Sequence, residues 1–222
     1  MAVDDAYTKA LLHMDGADAS TTFTDESGKT WTAYADAQID TAQSKFGGAS
    51  GLFDGIGDYI STPDHNDFDF GAGDFTVDCW VRHSALAGYQ HYISQNPGAW
   101  ALYKDITTNR PVIYLSTDGG DKTATSSVDV AIDTWYHIAA VRYGNTVTIY
   151  IDGTARGTVD VTGCTVNNSA NLITIAAYSA PADFFSGWID EVRISKGIAR
   201  WTANFTPPTA PYSGFIPRVT IF

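Results

Sequence analysis

The chain has 222 residues, 44% of them hydrophobic and 13% aromatic, with a formal net charge of −12. That apolar content supports a packed core and excludes general disorder, while the acidity argues against nucleic acid or an anionic membrane surface as partner. No apolar run approaches the roughly 20 residues that cross a bilayer, so membrane insertion is not expected.

No Pro/Gly/Ser linker or charge block divides the chain, so one domain with tails is expected. Met1-Ala-Val-Asp-Asp lacks the basic and apolar regions of a signal peptide. A cytosolic protein, or one that leaves the cell inside an assembled virus, is the expectation. The acids are unevenly chosen: only Glu26 and Glu191 are Glu and the rest are Asp. Asp favours turns and strand ends, so the acid usage points to a loop-rich β protein with many oxygen ligands for calcium. Cys79 and Cys164, the only cysteines, could pair as a disulfide, but nothing forces it and two buried or idle thiols are the expectation.

In chain order, Lys9 to Met14 reads as a strand stopped by Asp15-Gly16, and Asp25-Glu-Ser-Gly28 as a turn. Strands follow near Trp31–Ala35 and at Tyr59-Ile60, which Pro63 stops. Phe75 to Arg82 alternates cleanly, with Phe75, Val77, Cys79 and Val81 on one face and Thr76, Asp78, Trp80 and Arg82 on the other. Short strands are predicted at His91–Ser94, Trp100–Lys104 and Val112–Ser116. Trp135–Arg142, Thr146–Ile151 and Thr154–Val159 form an antiparallel meander through Gly144-Asn145 and Asp152-Gly153, and Gly153 is expected in a left-handed turn. Leu172–Ala176 and Phe185–Ser195 complete the set. No amphipathic helical period is present beyond one turn near Ala199–Trp201. Many short strands at regular spacing predict an all-β sandwich or jelly roll.

Phe185-Ser-Gly-Trp-Ile-Asp-Glu-Val-Arg-Ile-Ser195 reads as the central strand. Trp188, Val192 and Ile194 share one phase, and Phe185, Ile189, Glu191 and Arg193 the other. Carboxylates on a buried strand are costly unless paired or metal-bound. Glu191 pairing Arg193 or a neighbour, with Asp190 capping a loop, stands beside the reading of Asp190 as a cation ligand.

Gly51-Leu-Phe-Asp-Gly-Ile-Gly-Asp-Tyr-Ile60, Asp74-Phe-Thr-Val-Asp-Cys-Trp-Val81, Trp135-Tyr-His-Ile-Ala-Ala-Val-Arg142, Ile149-Tyr-Ile-Asp-Gly153 and Gly187-Trp-Ile-Asp-Glu-Val-Arg-Ile194 occur in the order seen in the laminin G-like (LamG) branch of the concanavalin A-like jelly rolls. Ala199-Arg-Trp-Thr-Ala-Asn-Phe-Thr-Pro-Pro208 resembles that family's close. The resemblance covers about residues 7 to 208. It implies a single sandwich of two antiparallel sheets over 1–208, a Pro-rich arm over 209–222, and core places for Trp80, Trp135, Val141 and Ile189. It also implies a calcium site of the kind common among relatives, at Asp15 or Asp25 with Asp190.

Retaining glycosidases need two carboxylates about 5–5.5 Å apart. The glucanases of this superfamily carry two Glu on one strand, which this chain lacks. His13, His65, His83, His91 and His137 show no metal-ligand spacing, and no nucleophile elbow or phosphate loop occurs. An enzyme is therefore not expected. Sugar recognition uses aromatic faces at loop tips, and Tyr89, Tyr92, Trp100 and Tyr178 are the candidate ligand-binding residues. Phe215, Ile216, Val219, Ile221 and Phe222 are candidate assembly anchors, because apolar chain ends seek a partner edge. The expected function is a non-enzymatic phage virion protein, decorating the capsid or associated with the tail. It would oligomerise, contact capsid or other virion proteins, and bind a glycan at its loops. A free carbohydrate-binding lectin is the alternative and a glycoside hydrolase the third reading.

Overall fold

A computed structural model describes residues 6–179 and 182–213. In chain order the strands are β1 (Thr8–Leu12), β2 (Thr32–Tyr34), β3 (Gln38–Asp40), β4 (Ser50–Asp54) and β5 (Tyr59–Thr62). Next come β6 (Phe75–His83), β7 (Gln90–Ser94), β8 (Trp100–Lys104), β9 (Pro111–Leu115) and β10 (Lys122–Thr125). The last five are β11 (Trp135–Tyr143), β12 (Thr146–Ile151), β13 (Thr154–Asp160), β14 (Ile173–Ile175) and β15 (Ser186–Lys196). The one helical turn among the described residues is a 3-10 turn at Asn66–Phe68, not the turn expected near Ala199–Trp201.

Two antiparallel sheets form the sandwich. The first runs β13-β12-β11-β6-β15-β4-β3, with β1 added to β15, and the second runs β10-β9-β8-β7-β14-β5-β2. Phe75, Val77, Cys79 and Val81 of β6 face the core between the sheets, as their alternation predicts. Cys79 and Cys164 are buried free thiols. The meander forms as expected: Asp152 and Gly153 both hold positive φ, +48° and +72°, the pair a tight two-residue hairpin requires.

β15 departs from a simple alternation. Its pairing with β6 shifts register between Asp190 and Arg193, and Glu191 holds φ +50°. This bulge inserts one residue and resets the phase. Ile189, Val192 and Ile194 therefore all enter the core, although Ile189 was expected on the opposite phase, and Trp188, expected to share the face of Val192 and Ile194, is only half-buried at the surface. The bulge also marks a change of neighbour: before it β15 pairs with β4, after it with β1.

Residues beyond β15 cross the outer face of the first sheet. Trp201 and Phe205 stack at 4.0 Å and cover Ala139, Val141 and Tyr150. Val141 and Trp80 are buried on this outer side, while Trp135 is only half-buried, so it is not the core residue expected. Packing continues past Pro208, because Tyr212 inserts into a buried polar cluster. Its hydroxyl bonds Asp78 and lies 3.1 Å from His137 Nε2, its ring lies 3.8 Å under the Arg193 guanidinium, and its N–H donates to Glu191 Oε2 at 2.8 Å.

Candidate functional site

The outer face of the second sheet carries an open aromatic cleft of about 180 Å³ lined by Tyr89, His91, Asn96, Tyr103, Tyr114, Tyr178 and Asp183. Register explains why these side chains converge. His91 of β7 stands opposite Tyr103 of β8, and Ala101, two residues before Tyr103 on the same face, stands opposite Tyr114 of β9. The His91 and Tyr103 rings stack at 5.0 Å, and Tyr178 meets His91 edge-on at 5.3 Å. The turn that carries Tyr178 and Asp183 is fastened to the sheet by the His91 N–H, which donates to the Asp183 carbonyl at 3.1 Å. The loop before Tyr89 is held from beneath. Buried Lys104 donates to the carbonyls of Leu86 and Gly88 at 2.6 and 2.8 Å.

His91 is 5% exposed, and its Nδ1 is a buried atom without a hydrogen-bond partner among the described residues. Burial lowers its pKa to about 3, so the ring is neutral at ordinary pH. Burial among the same rings raises the Asp183 carboxyl above its usual range, although Asp183 itself stands exposed at the rim.

Of the four expected ligand residues, Tyr89 and Tyr178 line the cleft, and Tyr92 and Trp100 do not. Both of the latter are fully buried in the core. A register shift between His91 and Ile93 lets Tyr92 turn inward beside Ile93, where its hydroxyl bonds His83 Nε2 at 3.0 Å. Trp100 lies on the inward phase of β8, with its Nε1 donating to the Phe68 carbonyl at 3.3 Å. Tyr103 and Tyr114 complete the cleft. Their alternation with Leu102 and Ile113 was the signal that marks them as outward.

A second polar site lies at the β15 bulge. Asp190 is fully buried; its Oδ2 accepts from the N–H groups of Lys45 and Phe46 at 2.7 and 3.1 Å, and its Oδ1 has no partner. Burial pushes its pKa up to about 7, against those two bonds and with the help of the nearby Glu191 and Asp15 charges. Asp15 approaches from the end of β1, and burial raises its carboxyl too. Its oxygens occupy the position a Cβ on Gly47 would take, and Gly47 holds φ +64°. The 43–49 loop thus covers Asp190 and meets Asp15, which stays exposed at the surface.

Asp25 is elsewhere and fully engaged: it accepts from the N–H groups of Leu11 and Ser27 and from Trp31 Nε1 at 2.7 to 3.1 Å. It is a turn cap, not a partner of Asp190. Glu191 pairs with His13 Nδ1 at 2.8 Å rather than with Arg193, which makes two 3.0 Å bonds to Asp78. Among the described residues, no group of three or more His, Cys, Asp or Glu side chains is placed to hold a metal. The fit to calcium therefore rests on the Asp15 carboxylate and the orphaned Asp190 Oδ1, oxygen donors of the kind that ion accepts. The expected anchors Phe215, Ile216, Val219, Ile221 and Phe222 lie outside the described residues. Among the described residues, no helix is long and apolar enough to cross a membrane.

Two antiparallel sheets in this order, with an aromatic face turned outward, define a jelly-roll sandwich. The family model described as the concanavalin A-like lectin/glucanases superfamily matches residues 53–200, and the chain belongs to that superfamily. A search of curated protein sequences finds no match. Among solved structures, the fold is similar to domain 4 of AbnA, a GH43 extracellular arabinanase from Geobacillus stearothermophilus, in complex with arabinotriose. The TM-score is 0.67 at 18% identity, over 88% of this chain and 95% of that one. It is also similar to the binding domain of Paraclostridial Mosquitocidal Protein 1, with TM-score 0.67 and 14% identity over 86% of this chain and 49% of that one. A third similar structure comes from botulinum neurotoxin type C, whose cell entry is described as dependent on two ganglioside molecules. It has TM-score 0.61 and 14% identity over 86% of this chain and 48% of that one. The chain spans about half the length of these toxin structures.

Proposed function

We propose that this chain is a non-enzymatic glycan-binding module whose saccharide stacks on the tyrosines of the second sheet. The observation that carries the reading is the convergence of Tyr89, Tyr103, Tyr114 and Tyr178 around His91 on an outward sheet face. Sugar C–H faces pack on aromatic rings, and the polar rims of Asn96 and Asp183 suit hydroxyl groups. The neighbours support it: one was solved with arabinotriose, and another is tied by its description to gangliosides. Against catalysis stands the carboxylate inventory. Among the described residues Asp183 is the only carboxylate in the cleft lining, with Asp121 bonded to Tyr114, whereas retaining glycosidases use a pair about 5–5.5 Å apart. Glu191 and Asp78 lie on the other sheet, engaged by His13, Tyr212 and Arg193.

Calcium at Asp15 and Asp190 belongs to the same proposal as a structural ion. Those residues would hold it, and its charge would offset the buried Asp190 carboxylate and its neighbour Asp15. The setting we propose is a virion, as a decoration or tail-associated attachment module that meets a glycan surface. Cofractionation with particles and labelling on them would support that setting, and absence from purified particles would remove it. The test of the binding reading is a glycan array followed by titration. Tyr103→Ala and Tyr178→Ala are each expected to weaken the best ligand about tenfold, about 1.4 kcal/mol. A folded wild type that binds no saccharide overturns the reading.

A further inference from the structure

We infer that the cleft selects a saccharide carrying a free ammonium group, an unacylated amino sugar, over acidic glycans. This inference rests on the glycan-binding reading and deepens it. The charge of the lining is one-sided. Among the described residues, Asp183 is the only carboxylate in the lining, Asp121 adds a second negative charge through its side-chain hydrogen bond to Tyr114, and no Lys or Arg joins the lining. The nearest cation along the chain, Lys104, is turned away beneath the 86–88 loop, where its ammonium group bonds the carbonyls of Leu86, Gly88 and Asp105 and the Asn109 side chain. His91 supplies no positive charge, because burial keeps its ring neutral down to strongly acid pH.

Asp183 forms no hydrogen bond or ion pair through its carboxylate among the described residues, and the aromatic wall beside it already opposes its ionisation. An unpaired carboxylate at the rim of several electron-rich rings is the chemistry that recognises an organic cation: the ring faces attract the charge and the carboxylate pairs it. The same lining repels a carboxylated sugar, since a second anion beside Asp183 would have no cation to meet. Asn96 remains for neutral hydroxyl groups. A neutral sugar can stack here, but it leaves Asp183 unpaired.

The test is titration calorimetry of the full chain at low salt with three probes. These are a β-linked glucosamine trimer with its amines protonated, the N-acetylated trimer, and sialyllactose. The glucosamine trimer is expected to bind about tenfold more tightly than the acetylated one, with sialyllactose the weakest. In Asp183→Asn, an isosteric change that tolerates the left-handed backbone at φ +52°, the ratio between the two trimers should fall to about one. Tyr178→Ala should weaken the glucosamine trimer as well, which separates the cleft from general attraction to an acidic surface. Equal affinity of the two trimers, a preference for sialyllactose, or a ratio that survives Asp183→Asn overturns the charge selection and leaves glycan binding standing. Binding of none of the probes, together with a blank glycan array, overturns glycan binding itself.

Discussion

Gly153 shows how one position can be read correctly for an incomplete reason. Asp-Gly between two β-rich runs dictates the tight hairpin, and the structure adds a contact no local rule contains. A Cβ at Gly153 would collide with the Phe205 carbonyl, while Phe205 N–H donates to the Gly153 carbonyl at 2.9 Å. Gly153→Val should therefore cost more than the roughly 1 kcal/mol of backbone strain alone, on the order of 3 kcal/mol. Denaturant melts would check this, and a cost below about 1 kcal/mol would mean that the Phe205 segment moves aside freely. The buried histidines make a second residue-level prediction. Burial depresses His83 to about 4 and His91 to about 3 from an ordinary 6.5. The unfolded chain therefore takes up protons that the folded chain refuses. Their contribution is intact above pH 6.5 and is lost as pH falls toward those values, with upper values of roughly 3 kcal/mol for His83 and roughly 5 kcal/mol for His91. Asp78 adds to the same trend. Burial opposes its charge, but Arg193 and His137 outweigh that and hold its carboxyl well below the usual range, so its contribution goes only in stronger acid. Stability measured against pH should fall on the acid side of 6.5, and a His91→Phe variant should show a shallower fall.

At the scale of elements, local alternation placed β6 and the meander, because residues on those strands answer only to the sheet. It failed at β7 and β15 for one shared reason. A bulge after His91 and another after Asp190 each reset the two-residue period, so Tyr92 turned from a candidate ligand into core and Trp188 left the face of Val192 and Ile194. Nothing in the composition of either segment announces the extra residue. Tyr89 and Tyr178 were each legible as aromatic residues on loops, but not their meeting in one cleft. The part played by Tyr114 was not, because it depends on which strands are neighbours. The segment after β15 was likewise read as ending at Pro208, although Tyr212 is what plugs the Asp78–Arg193–His137 cluster. Tyr212→Phe deletes the hydroxyl that Asp78 and His137 share, and should cost roughly 1–3 kcal/mol. Truncation after Pro208 should cost at least as much, since it also strips the Glu191 partner. A melting temperature unchanged by either change would show that the cluster is satisfied by water instead.

For the whole molecule, the decisive measurement is the response to calcium. A ligand that binds only the folded state stabilises by about 2.7 kcal/mol at 100 times its dissociation constant. Chelation should lower the melting temperature of the wild type. Asp190→Asn and Gly47→Ala should each abolish the response, the first by removing a ligand charge and the second by driving a methyl group into the Asp15 carboxylate. No response in the wild type would leave Asp190 as a buried loop cap and nothing more.

The arrangement of β1 and the segment that follows β15 has a mechanical consequence. Both are attached to the first sheet: β1 lies hydrogen-bonded along β15, and the later segment lies across the outer face of β11 and β12. The aromatic cleft looks out from the second sheet. Whatever the chain is tied to through either side of residues 6–213, the pull enters one sheet while the opposite sheet points away from the anchor. A load on the C-terminal side meets Tyr212 first, then the Phe205–Gly153 contact, before any strand of the second sheet is strained. Tension would thus be absorbed by peeling a single segment from the back of the sandwich, with the front face holding its grip until that segment lets go.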